Sequence, residues 1–348
     1  MSDLNSTTSL IPHQPDNALA LASKAANAHA AKSTFEDYLS RKADNTIRRQ
    51  LADLNRFADF LADVMAQVDQ TAPSGDDLQH DPQSWKDIEY GLVKAWVKWM
   101  ISQGDAMGSI NVRLSTVKTY AKLAAMAGVL TTEDVAMIRF VQGYSLKEAK
   151  RVNERRDTTR RGDKKAQSVH IDDKQARKLK NQPDTPQGRR DSLLMCLLLD
   201  HGLRCGEVAG LHVSDFDLKA GELRFYRPKV DKEQTHKLSA DTLRAARAWF
   251  DSGDAPLMGD DPVLRGSRKG GALTHSGMLE RAITRRVEVL GESVGLKGLS
   301  AHDCRHYWAT FWAPKVDVIR LQEAGGWASL AMPRRYIEDA KIANEGMA

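Results

Sequence analysis

Cysteine is scarce in this sequence, and neither a long apolar run nor a secretory leader is evident. The chain has 348 residues and three cysteines, whose spacing fits neither a disulfide framework nor a metal site. No stretch approaches the roughly 18 uninterrupted apolar residues of a membrane-spanning helix. The first residues do not resemble a secretory signal, which needs a basic start and an apolar segment. We therefore expect a protein of the reducing cytoplasm with no membrane partner.

The composition is that of a globular protein with a mild basic excess. Hydrophobic residues make up 41% of the chain and charged residues 28%, and the length suggests about two domains. The net charge of +5 favours a polyanionic partner. Residues 143–168 carry nine basic and four acidic side chains, so this segment accounts for the whole excess. It is either a solvated linker or a contact to nucleic acid.

Apolar periodicity divides the chain into four parts. Residues 1–32 show no clear period, and we expect a flexible leader there. Residues 33–142 repeat apolar side chains at helical spacing, which predicts a bundle of four or five helices. The basic segment 143–168 is interpreted as an interdomain linker. Residues 169–348 then form the second domain.

The predicted elements define the fold class. In the first domain, one helix carries Trp85, Trp96 and Trp99 on one face, and Thr131 and Asp134 resemble a capping box at the start of another. In the second domain, helices are predicted at 172–180, 189–201, 241–250, 276–294, 302–311, 316–323 and 328–340, and strands at 222–226 and 234–238. The prediction is a mostly α protein, whose second domain is mixed α/β, mainly helical, with a small β-sheet.

Several residues of the second domain are candidates for chemistry when they are taken in chain order. They are Arg204 and Glu207 in a Leu-Arg-Cys-Gly-Glu turn, Lys229 and Lys232 between the two strands, His302 and Arg305 in a His-x-x-Arg step, Trp327 after two glycines, and Tyr336 nine residues later. Each residue alone also fits an ordinary structural role, such as a surface arginine or a core tryptophan. Their order and spacing together favour a shared function.

This ordered pattern resembles the tyrosine recombinase (phage integrase) family, in particular its Cre- and Xer-like members. The family pattern is an arginine in a Leu-Arg-x-Gly-Glu turn, a hairpin lysine, His-x-x-Arg, Gly-His or Gly-Trp, and a tyrosine nine residues later. The resemblance covers residues 170–340 by motif, and residues 33–141 only by size and helical character. It implies a two-domain clamp, in which a helical core-binding domain and a catalytic domain hold the DNA.

The resemblance implies that Tyr336 is the nucleophile. A phenol can attack a phosphodiester, store the bond as a 3′-phosphotyrosine and release a 5′-hydroxyl. Rejoining is the reverse reaction, so neither ATP nor a metal is needed and we expect no cofactor. Arg204 and Arg305 would clamp the two non-bridging oxygens with paired N–H donors.

The remaining family positions imply proton transfer and support. Lys229 is the candidate general acid for the leaving 5′-oxygen, with Lys232 as the alternative. His302 is the candidate acid–base group for the phenol. Trp327 can donate its indole N–H to a phosphate oxygen, but it exchanges no proton. Glu207 is expected to support the first arginine.

The resemblance also implies a partner and an assembly. Members of the family act on double-stranded DNA with a specific recombination site, as homotetramers on two DNA sites, through a Holliday junction. The basic residues expected to contact DNA are Arg113, Lys118 and Lys122 in the first domain, and Arg155, Arg156, Arg160 and Arg161 in the linker. The sequence identifies no accessory protein.

Two other classes of function share part of this pattern. A type IB topoisomerase uses the same phosphotyrosine chemistry but relaxes DNA without strand exchange. A DNA-binding protein can keep the fold without the chemistry. The two-domain size and the spacing from Trp327 to Tyr336 favour a recombinase, and the complete residue set argues against a silent fold. Integration, excision, resolution and inversion all stay open.

Overall fold

A computed structural model describes residues 18–158 and 168–340, and these residues are mostly helical. The chain divides into two compact units, Met1–Asp163 and Lys164–Ala348. In the described residues, strands occur only in the second unit, where they form small antiparallel sheets. The predicted fold class, mostly α with a small β-sheet, is confirmed. No helix within the described ranges has both the length and the apolar character that crossing a bilayer requires.

The first unit is a helical bundle around an aromatic core. Its helices are α1 (Ala18–Ser40), α2 (Asp44–Met65), α3 (Gly75–His80), α4 (Tyr90–Ser102), α5 (Met107–Met126), α6 (Thr132–Phe140) and α7 (Leu146–Arg155). Phe57 packs against Trp96, with 4.8 Å between ring centroids, and against Trp85 at 6.1 Å. Both indoles are fully buried, and each donates its N–H to a backbone carbonyl. The aromatic rings thus supply apolar contact without leaving a polar group unpaired.

The predicted flexible leader over 1–32 is helical where the structure describes it. These residues belong to α1, because alanine has the highest helix propensity and the far end of the helix is anchored in the core. The anchor is Phe35, which is 3% exposed and meets Tyr120 edge-on at 5.7 Å. Residues 1–17 lie outside the described residues.

The basic segment 143–168 is also more regular than predicted. Its first half forms α7, which starts with a capping box. Ala149 and Val152 pack against the aromatic core, so this helix is part of the first unit and not a bare linker. Two of the expected DNA contacts in the segment, Arg160 and Arg161, lie outside the described residues.

A turn divides the predicted tryptophan helix of the first unit. Trp85 ends a 3-10 turn that begins with proline, and Asp87 has a left-handed φ of 63°. Helix α4 begins only after this turn, so Trp85 and Trp96 reach the same core from different elements. The capping box of Thr131 and Asp134 is confirmed at the start of α6.

The second unit surrounds one buried helix. Its helices are α8 (Asp173–Lys180), α9 (Pro186–Asp200), α10 (Cys205–Ala209), α11 (Ala240–Phe250), α12 (Glu280–Ser293), α13 (Ala301–Trp312), α14 (Val318–Gly325) and α15 (Ala331–Ala340). Residues 193–199 of α9 are at most 2% exposed, as their apolar character on all sides predicts. Helices α8, α11 and α13 pack around α9. Each buried leucine contributes about 1.5–3 kcal/mol relative to an exposed one.

The strands of this unit form two antiparallel groups. They are β1 (Phe216–Asp217), β2 (Glu222–Arg227), β3 (Lys232–Lys237), β4 (Arg265–Ser267) and β5 (Leu273–Gly277). Strands β1, β2 and β3 lie side by side in that order, and β4 pairs with β5. The hairpin of β2 and β3 matches the prediction, but its turn is shorter, since Arg227 already pairs with Lys232. The other strands were not predicted, because they are too short to show a period of two.

A buried histidine predicts how stability depends on pH. His201 follows α9, is 4% exposed, and has its Nε2 3.0 Å from Thr242 Oγ1. Burial lowers the pKa of His201 from 6.5 to about 4, so the unfolded chain binds a proton first as the pH falls. Stability present at neutral pH is therefore lost between pH 6.5 and about 4. Between pH 7 and pH 5, the free energy of unfolding should fall by about 2 kcal/mol less in His201→Gln than in wild type, measured by urea unfolding. Parallel pH profiles of wild type and variant would contradict this.

Candidate active site

The second unit brings three arginines to the end of one helix. Helix α14 ends at Gly325, and Gly326 caps it with a left-handed φ of 57°. Carbonyls at a helix end have no partner within the helix. Here they accept hydrogen bonds from Arg227 (Ala324 and Gly325 carbonyls), Arg305 (Gly325 carbonyl) and Arg204 (Gly326 carbonyl). We call Arg204, Arg227 and Arg305 the arginine cluster.

One carboxylate lies among these guanidinium groups. Glu207, on α10, is 5% exposed. Its oxygens accept from Arg204 Nη1 at 2.6 Å and from Arg227 Nη1 at 3.0 and 3.1 Å. It also accepts from the backbone N–H of Arg204 at 2.8 Å, at the start of α10. Glu207 therefore supports the first arginine, and it also binds a second one that the sequence did not single out.

The arginine cluster carries more positive charge than its carboxylate balances. Burial, followed by repulsion from Arg204 and Arg227, lowers the pKa of Arg305 to about 9. Burial lowers the pKa of Arg227 to about 10, against the attraction of Glu207. Both groups stay protonated at neutral pH. A bound anion would relieve the repulsion, so the cluster is suited to hold a phosphate group.

Exposure separates the three arginines. The Arg204 side chain is 24% exposed, whereas the Arg227 side chain is fully buried. Arg305 is 3% exposed and also donates to the carbonyl of Gly202, in the turn before Arg204. Arg204 thus presents the most accessible guanidinium of the cluster, and Arg227 lies behind it.

Tyr336 packs beside this cluster. It lies on α15, is 3% exposed, and belongs to a small apolar group with Trp308 and Leu321. Its ring is 5.7 Å from the ring of Trp327, whose indole in turn lies 4.6 Å from the Arg305 guanidinium carbon. The expected nucleophile, the tryptophan and the second arginine of the motif are therefore neighbours.

The glycines before Trp327 are required by close contacts. A Cβ on Gly325 would lie 2.1 Å from the Trp327 ring, and one on Gly326 would lie 2.4 Å from Arg227 Cδ. Gly326 also has a left-handed φ, which a side chain disfavours. The Gly-Gly pair thus lets the indole fold back over the helix end and lets Arg227 reach the carbonyls.

His302 occupies the exposed first turn of α13. Its Nε2 is 3.0 Å from the Nε2 of His306, one helical turn further on. Asp303, between the two motif residues, is buried and accepts hydrogen bonds from Ser300 and from the backbone N–H of Val169. Asp303 therefore caps this helix, while His302 stays at the surface of the site.

The hairpin lysines lie across a cleft from Trp327. Lys229 is in the turn between β2 and β3, and Lys232 is the first residue of β3; both are exposed. Both line a cleft of about 430 Å³ with Trp327 and Gly326. Gln234 ties the hairpin to α14 by donating to the carbonyl of Glu323 at 2.7 Å. The hairpin tip can therefore deliver a lysine to a group held beside Trp327.

Arg227 is the site residue that the sequence analysis missed. Its position two residues before Lys229 resembles that of an ordinary strand-end arginine. One signal was available, because Leu223, Phe225 and Arg227 alternate onto the buried face of β2. An arginine on the apolar face of a strand needs an internal partner, which here is Glu207.

Most of the basic residues expected to contact DNA in the first unit have internal partners. Arg113 is paired with Asp105 at 2.9 Å, Lys118 donates to the carbonyl of Arg139, and Arg156 donates to the carbonyl of Asp105. Burial and Arg139 lower the pKa of Lys118. Lys122 and Arg155 are exposed. All of these residues stay predicted DNA contacts, and we carry Lys122 and Arg155 forward because they are the exposed ones.

No group of three or more His, Cys, Asp or Glu side chains in the described ranges is arranged to hold a metal ion. None of the three cysteines forms a disulfide, and Cys196 and Cys304 are buried. Burial raises the pKa of the Cys205 thiol beside Arg204. The side chains described above bring guanidinium, carboxylate, imidazole, ammonium, indole and phenol groups to the site.

Comparisons with known proteins agree with this arrangement. Residues 170–342 match the model of the phage integrase family. A tyrosine recombinase XerC from Mycobacterium sp. (strain JLS) is 25% identical over 312 residues, which cover 87% of this chain and 91% of that protein. A tyrosine recombinase XerC from Pelobacter propionicus is 31% identical over 176 residues, 48% of this chain and 54% of that protein.

Solved structures share the fold at low sequence identity. A lambda integrase dimer bound to a core site has a TM-score of 0.57 and 16% identity, covering 89% of this chain and 95% of that one. A lambda integrase tetramer bound to a Holliday junction has a TM-score of 0.56 and 15% identity, covering 92% and 82%.

Replacement of Arg227 tests how far the site depends on it. Arg227→Met would leave Glu207 with one cationic partner, Arg204, and would remove a donor from the Ala324 and Gly325 carbonyls. We expect a loss of about 3–5 kcal/mol in the free energy of unfolding, measured with urea. Arg227→Lys should recover only part of it, because one ammonium cannot reach Glu207, Gln234 and two α14 carbonyls as the extended planar guanidinium does. Arg224→Ala, on the exposed face of the same strand, is the matched control and should lose little. Equal effects at both positions would contradict the role of Arg227.

Proposed function

Because the chain belongs to the phage integrase family of tyrosine recombinases, we propose that it recombines DNA at specific sites, cutting and rejoining strands through Tyr336. The proximity of Tyr336 to Trp327, and of Trp327 to Arg305, supports this assignment. The nucleophile and the arginine cluster, which would bind the phosphate, then lie close together. A phosphodiester held by the arginine cluster would have a phenol beside it.

The reaction conserves the energy of the broken bond. The Tyr336 oxygen attacks phosphorus and the phenol proton leaves to a base, while the bond to the 5′-oxygen breaks and that oxygen takes up a proton. The product is a 3′-phosphotyrosine and a free 5′-hydroxyl. A second 5′-hydroxyl then attacks the phosphotyrosine and the phenol recovers its proton. No step consumes a cofactor.

Charge stabilisation is assigned to Arg204 and Arg305. Negative charge accumulates on the non-bridging oxygens, and two guanidiniums fixed before the substrate arrives can stabilise it without reorganising. Glu207 holds Arg204 in place. The indole of Trp327 would add a hydrogen bond to a phosphate oxygen, without exchanging a proton.

Proton transfer is assigned to the two ends of the bond. Lys229, at the hairpin tip, would protonate the leaving 5′-oxygen, and Lys232 is the alternative acid because it lines the same cleft. His302, exposed at the start of α13, would take the phenol proton. Lys229 and His302 belong to different elements, so the leaving 5′-oxygen and the attacking phenol oxygen each have their own proton-transfer group.

The wider assembly is also part of the proposal. The lambda integrase structure that shares this fold is a tetramer bound to a Holliday junction. We assign the same scheme here: a homotetramer on two double-stranded DNA sites, with strand exchange through a Holliday junction. The bundle 33–142 would bind DNA with Lys122, and the following basic segment with Arg155. A DNA substrate and cysteines that form no disulfide fit a location in the cytoplasm.

Covalent capture tests the nucleophile. A duplex selected by binding from random DNA, and nicked so that the cleaved strand end is lost, would be incubated with the protein. Wild type should form an adduct that migrates slowly on a denaturing gel, and Tyr336→Phe should form none, because it lacks the phenolic oxygen. Tyr90→Phe, in the first unit, is the matched control and should keep the adduct.

Each other outcome points to a different function. An adduct that persists in Tyr336→Phe would place the nucleophile elsewhere. No wild-type adduct on DNA that the protein binds would favour a silent DNA-binding protein. Relaxation of supercoiled DNA at no preferred site, without recombinant product, would favour a type IB topoisomerase.

The leaving group distinguishes the two lysines. Lys229→Ala should slow cleavage of an ordinary phosphodiester by about 10²–10⁴-fold, the usual contribution of a general acid. A substrate with sulfur at the 5′-bridging position should restore its rate, since a thiolate leaves without a proton. Lys232→Ala should be close to wild type on both substrates. Rescue of Lys232→Ala alone would exchange the two assignments.

A further inference from the structure

His306 forms a pair with His302 that the mechanism above does not use. The two residues are one turn apart on α13, with Nε2 atoms 3.0 Å apart and ring planes at 87°. Two ring nitrogens at this distance share one proton, so one imidazole donates and the other accepts. The contact therefore couples the tautomers of the two rings, because only one of the two Nε2 atoms can carry the shared proton.

The other face of His306 meets the nucleophile. Its ring lies 5.2 Å from the ring of Tyr336 at an angle of 66°. Both residues line a cavity of about 460 Å³, together with Thr310 and the segment before α8. His306 thus contacts both the candidate base and the attacking residue, and it is only partly buried.

The charges around His306 keep it neutral at neutral pH. Burial, then His302, lowers the pKa of His306; Arg335 and Arg305 lower it further, and Asp303 acts in the opposite direction. The phenol of Tyr336 faces it from α15. A neutral His306 can accept the Nε2 proton of His302, including when His302 is protonated.

We propose that His306 is a positioning residue for proton transfer at the attacking end of the reaction: its Nε2 accepts from His302 and holds that imidazole ready for the phenol proton. The inference rests on the proposed function. As the bond from the Tyr336 oxygen to phosphorus forms and the bond to the bridging 5′ atom breaks, the phenol proton passes to Nδ1 of His302, and the positive charge is stabilised by the hydrogen bond from Nε2 to His306. The proton returns to the phenol oxygen when the 5′-hydroxyl rejoins.

The test separates the attacking end from the leaving end. Covalent complex formation would be measured in single turnover, from about pH 5.5 to 9, on a nicked duplex with sulfur at the 5′-bridging position. Sulfur removes the need for a lysine acid. His306→Phe keeps a ring against Tyr336 but has no nitrogen; His306→Gln keeps a polar group that can accept; Thr310→Ala, in the same cavity, is the control.

His306→Phe should slow the reaction at least about tenfold, as expected for weakened acid–base catalysis. The acid limb of its pH profile should move to lower pH, because the charged form of His302 loses its acceptor. His306→Gln should recover most of the rate, and Thr310→Ala should match wild type in rate and profile. DNA binding should be unchanged in all three.

A wild-type rate and an unmoved acid limb in His306→Phe would overturn the proposal. So would a loss of folding, seen by circular dichroism, in both His306 variants, because His306 would then be structural only. If wild type itself forms no adduct through Tyr336, the proposed function fails instead. The two failures are therefore distinguishable.

Discussion

The hydrogen bonds between three arginines and the end of α14 are the interaction on which the site depends. Burying a cation is costly unless partners replace its hydration. The helix end stabilises the cations in two ways. Its last carbonyls accept no hydrogen bond within the helix and are free to accept from arginines, and the helix dipole places partial negative charge there. Glu207 adds a full charge. The cluster is thus held by acceptors, yet it keeps an excess of positive charge.

That excess is what connects the fold to the reaction. A site that already contains fixed donors needs no rearrangement when negative charge develops on a phosphate, and such preorganisation is usually the largest catalytic contribution. The same helix end also places the neighbouring groups. Gly326 leads directly to Trp327, and Gln234 and Arg227 tie the lysine hairpin to α14. One short helix therefore sets the positions of the clamp, the indole and the hairpin.

The sequence predicted most of the helices, the buried α9 and the family, because each leaves a local pattern of period, spacing or motif order. It did not predict what depends on contacts between distant segments. Arg227 differs from a surface arginine only because Glu207 and α14 lie opposite it. The helical α1 and α7 follow from an anchor at Phe35 and from packing at Val152. The role of His306 could not be predicted from the sequence, because it depends on a contact with Tyr336, which lies thirty residues away along the chain.

The contact between Gly326 and Arg227 also constrains how this chain can change over time. A side chain at position 326 would displace Arg227 and disturb the backbone turn at once. A shorter side chain at position 227 would remove one donor from Glu207 and from the Ala324 and Gly325 carbonyls. A substitution at position 326 or at position 227 alone is therefore disfavoured. Accepted substitutions should occur together at these two positions and at Glu207. Within a lineage of such chains, these three positions should co-vary as one inherited unit, independent of which DNA sequence each member recognises.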